Sequence, residues 1–127
     1  MILEGQAMAK CILIADDNDI VRTIIRFFLE TKGFEICGEA TDGVDAIEKA
    51  QQLKPDLIVL DVAMPRMNGV EAASVLKGLM PNVPIVWFTM YKEQVGSSLT
   101  AAVGVDAVLS KPDGVGDLVE CVQGLLS

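Results

Sequence analysis

The sequence predicts an α/β domain, a doubly wound five-stranded parallel sheet with helices on both faces. Short apolar runs alternate with stretches of helical spacing, five times over. The runs are near-continuous in Ile, Val and Leu, as strands buried on both faces require. With 127 residues, 51% of them hydrophobic, the chain can build one domain with its own core and no disulfide help.

The strands are expected at Cys11–Ala15, Phe34–Gly38, Leu57–Leu60, Pro84–Phe88 and Ala107–Leu109, each bounded by Gly, Pro or Asp. Between the first two, Val21, Ile24, Ile25, Phe28 and Leu29 follow helical spacing up to Gly33. Thr41-Asp42-Gly43 punctuates the start of a second helix, with Val44, Ile47 and Ala50 on one face and Pro55 beyond its end. Val70, Ala73, Leu76 and Leu79 give a third, before Pro81. The fourth, over Glu93 to Val103, is weakly patterned and carries Gly96, Ser97 and Ser98. Leu118, Val122 and Leu125 form the fifth; Gly114-x-Gly116 before it lacks the remaining glycine spacing of a phosphate loop and reads as a flexible helix start.

Composition narrows the function. Ten basic residues against 18 acidic ones argue against a chain that grips nucleic acid by its own charge. No apolar run approaches the ~18 residues that span a bilayer. Residues 1–9 have neither a basic stretch nor a long apolar core, and read as a flexible lead-in (with Met8 a second start) to a domain over residues 10–127. There is no histidine, so a His-based triad is excluded and a zinc site nearly so. Cys11, Cys37 and Cys121 are an odd count without C-x-x-C spacing, which predicts reduced, mostly buried thiols in a cytoplasmic protein.

In an open parallel sheet the site lies beyond the carboxyl ends of the strands. Strand 1 ends in Asp16-Asp17, strand 3 in Asp61, strand 4 in Thr89 and strand 5 in Ser110-Lys111-Pro112. With strand order 2-1-3-4-5, strands 1 and 3 flank the switch point and three carboxylates converge in one crevice. Close carboxylates repel one another and are costly to desolvate; a divalent cation relieves both, and hard oxygen ligands that leave waters in place favour Mg²⁺. Lys111 and the Thr89 hydroxyl could then hold an anion above the metal, a set that suits a phosphoryl group. Without a Ser–His or Cys–His pair, the natural nucleophile is a carboxylate.

These pieces together resemble the receiver domain of two-component response regulators, from Lys10 to Leu126: Ile12-Leu13-Ile14-Ala15-Asp16-Asp17, Leu60-Asp61-Val62-Ala63-Met64-Pro65-Arg66-Met67-Asn68-Gly69, Phe88-Thr89 and Ser110-Lys111-Pro112. Each alone is weak and has a structural reading as a turn, helix cap or strand end; all four in order form a specific signal. The resemblance implies a flavodoxin-like sheet of order 2-1-3-4-5 and a cytoplasmic phosphorelay switch. In that switch Asp61 accepts phosphate from a histidine kinase or phosphotransfer protein. It implies Mg²⁺ held by Asp17, Asp61 and the Ala63 carbonyl, with Asp16 acting mostly through water. Thr89 and Lys111 would contact phosphoryl oxygens, and a cis Lys111–Pro112 peptide would aim the lysine. Output would run through the helix 4–strand 5–helix 5 face by dimerisation or docking, in a stand-alone receiver or a fragment of a longer regulator.

Departures from the pattern also stand out. Val108 occupies a position where many members carry an aromatic residue, and Met90 one that is often small. The alternative is an interaction module of the same fold that never uses phosphate. An Asp-nucleophile phosphatase would need a second acid where Ala63 stands, and a flavin carrier would need a different loop from Asp16-Asp17-Asn18.

Overall fold

The computed structural model describes residues 9–127, so the expected lead-in lies outside the described residues except for Ala9. Five strands alternate with five helices: β1 Cys11–Ala15, α1 Asp19–Thr31, β2 Glu35–Ala40, α2 Gly43–Leu53, β3 Leu57–Leu60, α3 Gly69–Leu79, β4 Ile85–Thr89, α4 Lys92–Val103, β5 Ala107–Ser110 and α5 Val115–Leu125. A single 3₁₀ turn, Lys111–Asp113, follows β5. All strand pairs are parallel, in the order β2-β1-β3-β4-β5. The predicted fold class holds.

The pleat sorts the apolar runs into two cores. Ile12, Ile14, Leu57, Val59, Val86 and Phe88 pack with Ile25 and Leu29 of α1 and Leu118 and Val122 of α5. Their neighbours Leu13, Ala15, Ile58, Leu60, Ile85 and Trp87 pack with Ala46 and Ala50 of α2, Ala72, Ala73 and Leu76 of α3, and Val95 of α4. Continuous apolar strands between two helical layers thus account for the sequence's excess of Ile, Val and Leu.

Helix ends follow local chemistry. Asn18, Asp42 and Asn68 each accept hydrogen bonds from backbone N–H groups in the first turns of α1, α2 and α3. At the end of α1, Gly33 takes φ 90° and the Phe34 N–H reaches the Leu29 carbonyl, a Schellman-type stop. Within α4, Gly96 has φ 70° and ψ 165°, so the helix breaks after its first turn. That is where the helical pattern of the sequence is weakest.

One expectation is corrected. Cys11 and Cys37 are joined by a disulfide, with Cα atoms 5.5 Å apart, and only Cys121 is free among the described residues. The cause lies in strand pairing, which residue spacing does not reveal. Parity puts Cys11 and Cys37 on one face, and the ladder steps from Ile12↔Ile36 to Leu13↔Gly38, leaving Cys37 as the bulged residue of the edge strand.

Candidate functional site

Strand register assembles the site. Ala15 pairs with Leu60, so Asp16 and Asp61 follow as neighbours, and the Asp61 N–H donates to the Ala15 carbonyl at 2.9 Å. Thr89 pairs with Ser110, which puts Lys111 one residue past the last rung. Oxygens of Asp16, Asp17 and Asp61 lie within 4.8 Å of one another. Asp16 and Asp61 are buried, Asp17 is exposed, and Thr89 is fully buried.

Lys111 is the cation of this cluster. Its Nζ lies 2.7 Å from Asp16 Oδ2 and 3.2 Å from Asp61 Oδ2. The other Asp61 oxygen, Oδ1, is buried with no hydrogen-bond partner. A buried, unpartnered carboxylate oxygen beside two further acids is a donor set that fits a hard divalent cation. Burial pushes the Asp61 carboxyl above the ordinary aspartate range; the charge of Lys111 opposes this and that of Asp16 reinforces it. Burial works against the charged Lys111, but the hydrogen bond to Asp16 and the charge of Asp61 outweigh it and raise its pKa.

The loops around the acids are tightly built. Asp16 Oδ1 accepts the Asn18 N–H at 2.9 Å, and the Asp16 N–H donates to the Ala40 carbonyl at 3.0 Å. On the β3–α3 loop, the Gly69 N–H donates to the Val62 carbonyl at 2.7 Å. A Cβ at Gly69 would lie 1.9 Å from the Asp61 carbonyl oxygen, so only glycine lets α3 start this close to the acid. The Trp87 indole N–H donates to the Gly69 carbonyl at 3.1 Å, supporting that turn from the core.

The structure therefore brings together Asp16, Asp17, Asp61 and Lys111, with Thr89 at the neighbouring strand end. The Thr89 hydroxyl accepts the Tyr91 N–H at 3.2 Å. Ala63 is exposed on the loop two residues past Asp61. Met90 and Tyr91 are exposed at the top of β4. The expected cis Lys111–Pro112 peptide is corrected: the bond is trans. Trans is the cheaper X–Pro isomer, and Pro112 sits in the first turn of a 3₁₀ segment, where its missing N–H and fixed φ cost nothing.

Three supporting residues escape a reading by strand ends. Arg22, on α1, donates to the Asp16 carbonyl at 2.6 Å and to Glu39 at 2.9 Å. Arg66, at φ 62°, makes a two-pronged pair with Asp42, at 2.9 and 3.1 Å, which ties the β3–α3 loop to the start of α2. Beside it the Gly43 N–H donates to the Met67 carbonyl at 2.8 Å. The sequence carries no signal for Arg22, which stands with Asp19, Thr23 and Arg26 among the polar residues of an amphipathic helix.

Sheet order, acid cluster and strand-end lysine define a class of protein, the doubly wound α/β domain with an acidic crevice at its switch point. Within that class the chain belongs to the response regulator receiver domain family of two-component systems, which it matches over residues 12–123. It is similar to the response regulator protein VraR of Staphylococcus saprophyticus, 38% identical over 113 residues that make up 88% of this chain and 54% of VraR. It is also similar to the chemotaxis protein CheY of Thermotoga maritima, 32% identical over 91% of this chain and 97% of CheY. The chain thus spans about half the length of VraR and nearly all of CheY. Among solved structures it resembles the receiver domain of AraT, a response regulator from Geobacillus stearothermophilus. That likeness has a TM-score of 0.82 and 31% identity, and covers 93% of each chain.

Proposed function

We propose that this domain is a Mg²⁺-dependent phosphoryl switch whose acceptor is Asp61. The observation that carries the reading is the Asp61 carboxylate itself, buried among acids, with one oxygen on Lys111 and the other unpartnered. Asp17, Asp61 and the Ala63 carbonyl would hold Mg²⁺, with Asp16 acting through water. When bound, Mg²⁺ supplies neutralisation of the charge that builds on the phosphoryl oxygens. Asp61 is the nucleophile: its carboxylate forms a new O–P bond as the bond from phosphorus to the donor breaks, and no general base is required. Lys111 stays charged and pairs with one phosphoryl oxygen, while the Thr89 hydroxyl takes another. Water later removes the acyl phosphate, so the domain resets itself and acts on no external substrate.

The donor is a histidine kinase or phosphotransfer protein, which places the domain in the cytoplasm. Among the described residues no helix is long and apolar enough to cross a membrane. A reducing compartment would open the Cys11–Cys37 bond, so the disulfide describes the oxidised form of this strand pair. Output runs through α4, β5 and α5, by pairing of two copies or by docking on a further domain. A groove of about 430 Å³ on that face is lined by Gly96, Thr100, Ala101 and Val108. Val108 leaves it wider than an aromatic side chain would, so switching here relies on backbone shifts of β4–α4.

Intact-mass analysis after incubation with Mg²⁺ and acetyl phosphate tests the proposal. One phosphoryl adduct is expected, absent with chelator and absent in Asp61→Asn. No adduct from either acetyl phosphate or a kinase, with the fold intact, would favour the phosphate-independent module.

A further inference from the structure

We infer that Arg22 is a positioning residue for the cation site: anchored on Glu39, its guanidinium fixes the Asp16 carbonyl and, through it, the loop that presents Asp17. The inference rests on the receiver reading above and adds to it a residue outside the acid cluster.

Asp17 is exposed, and among the described residues no hydrogen bond holds its side chain. Its placement therefore depends on the backbone at its two flanks. On one side, Asn18 is fixed by its N–H on Asp16 Oδ1 and by its side chain on the Val21 N–H at 3.0 Å. On the other, the Asp16 N–H is held by Ala40 and its carbonyl by Arg22 Nη1 at 2.6 Å. Of the side chains outside the loop, Lys111 holds the Asp16 carboxylate and Arg22 holds the Asp16 backbone carbonyl.

The anchor behind it is held from several sides. The Arg22 side chain is 11% exposed and pairs through Nε with Glu39 at 2.9 Å and through its other Nη with Asp19. Glu39, at the end of β2, is gripped in turn by Arg26 at 2.6 Å, and its carbonyl accepts the Lys49 ammonium from α2. Burial opposes the ionised Glu39, yet the bonds from Arg26 and Arg22 lower its pKa overall, so the anchor is charged at neutral pH. A guanidinium can serve carbonyl and carboxylates together because its donors form a fixed fork.

Charge alone predicts the opposite effect. Removing a cation near the acids makes the crevice more negative and should tighten Mg²⁺ binding. Positioning predicts that losing Arg22 weakens it. Arg26 separates the two: it carries the same charge and holds the same Glu39, but does not touch Asp16.

Calorimetric titration of Mg²⁺ into the full chain is the test. Arg22→Met is expected to bind about tenfold more weakly, the loss typical when a group that orients a metal ligand is removed. Arg26→Met, which supports Glu39 but does not touch Asp16, should lose clearly less affinity than Arg22→Met. Phosphorylation of Arg22→Met by acetyl phosphate should show a raised half-saturating Mg²⁺ concentration with a near-normal rate at saturation. Undiminished affinity in Arg22→Met, or an equal loss in Arg26→Met, overturns the inference. If Arg22→Met does not fold, Arg22→Lys carries the test: the charge stays, the fork is lost, weaker binding supports positioning and unchanged binding overturns it. A wild-type chain that binds no Mg²⁺ and takes no phosphate would overturn the receiver reading itself, and this inference with it.

Discussion

The Asp61 side chain is 7% exposed, with one oxygen on Lys111 and one without a partner, so burial disfavours its ionised form. Its carboxyl is therefore protonated to a higher pH in the folded chain than in the unfolded one. As pH rises through that interval the folded state loses a proton less readily than the unfolded state, and stability falls. Asp61→Asn removes this penalty. In chelator at neutral pH it should stabilise the fold by roughly 1–3 kcal/mol, the cost of a buried acceptor without a partner. Thermal melts should show the gain shrinking as pH drops below the Asp61 titration, and Mg²⁺ should raise the midpoint of wild type more than that of the variant. An unchanged midpoint at neutral pH would mean that Lys111 already compensates the charge. Asp16, Asp17, Asp61, Thr89 and Lys111 were all legible because each closes an apolar strand run. Arg22 and the Asp42–Arg66 pair were not, since their partners come together only after α1, α2 and the β3–α3 loop have packed.

At the level of elements, α3 is the one that most directly supports the acid. Asn68 Oδ1 accepts the N–H groups of Val70 and Glu71, both at 2.9 Å, and starts the helix beside Gly69 and Asp61. Asn68→Ala should lower stability by about 1 kcal/mol, as loss of a helix cap does, measurable by urea unfolding. The same variant should slow phosphorylation at Asp61, because the loop that the cap steadies carries Ala63. Of the capping side chains, Asp42 was readable in Thr41-Asp42-Gly43, whereas α4 and α5 begin after Tyr91 and Gly114 with no side-chain cap to read. The break in α4 was readable only as weakness at Gly96-Ser97-Ser98; no pattern gave its left-handed turn. The bulge in β2 left no mark at all, because Ile36, Cys37 and Gly38 read as an ordinary short strand, and the disulfide was missed with it.

For the molecule as a whole, that disulfide is the largest covalent constraint. It joins positions 26 residues apart, on an edge strand and its inner neighbour. Loop-closure entropy makes such a link worth roughly 3–4 kcal/mol. Reduction should then lower the melting temperature by on the order of 10 °C for a chain of this size. Calorimetry with and without a thiol reductant checks this, with alkylation reporting whether Cys121 alone or all three cysteines react. A melting temperature indifferent to reductant would show that the strand pairing needs no staple.

The position of Trp87 has an optical consequence. It is the chain's single tryptophan, fully buried on β4 two residues before Thr89, and its indole N–H is bonded to the carbonyl of the residue that presses on Asp61. Its fluorescence therefore comes from one dry site coupled to the β3–α3 turn, with no second indole to dilute the signal. The proposed cation binding and acyl phosphate decay would therefore be readable in real time on the unlabelled protein, from a residue buried in the core.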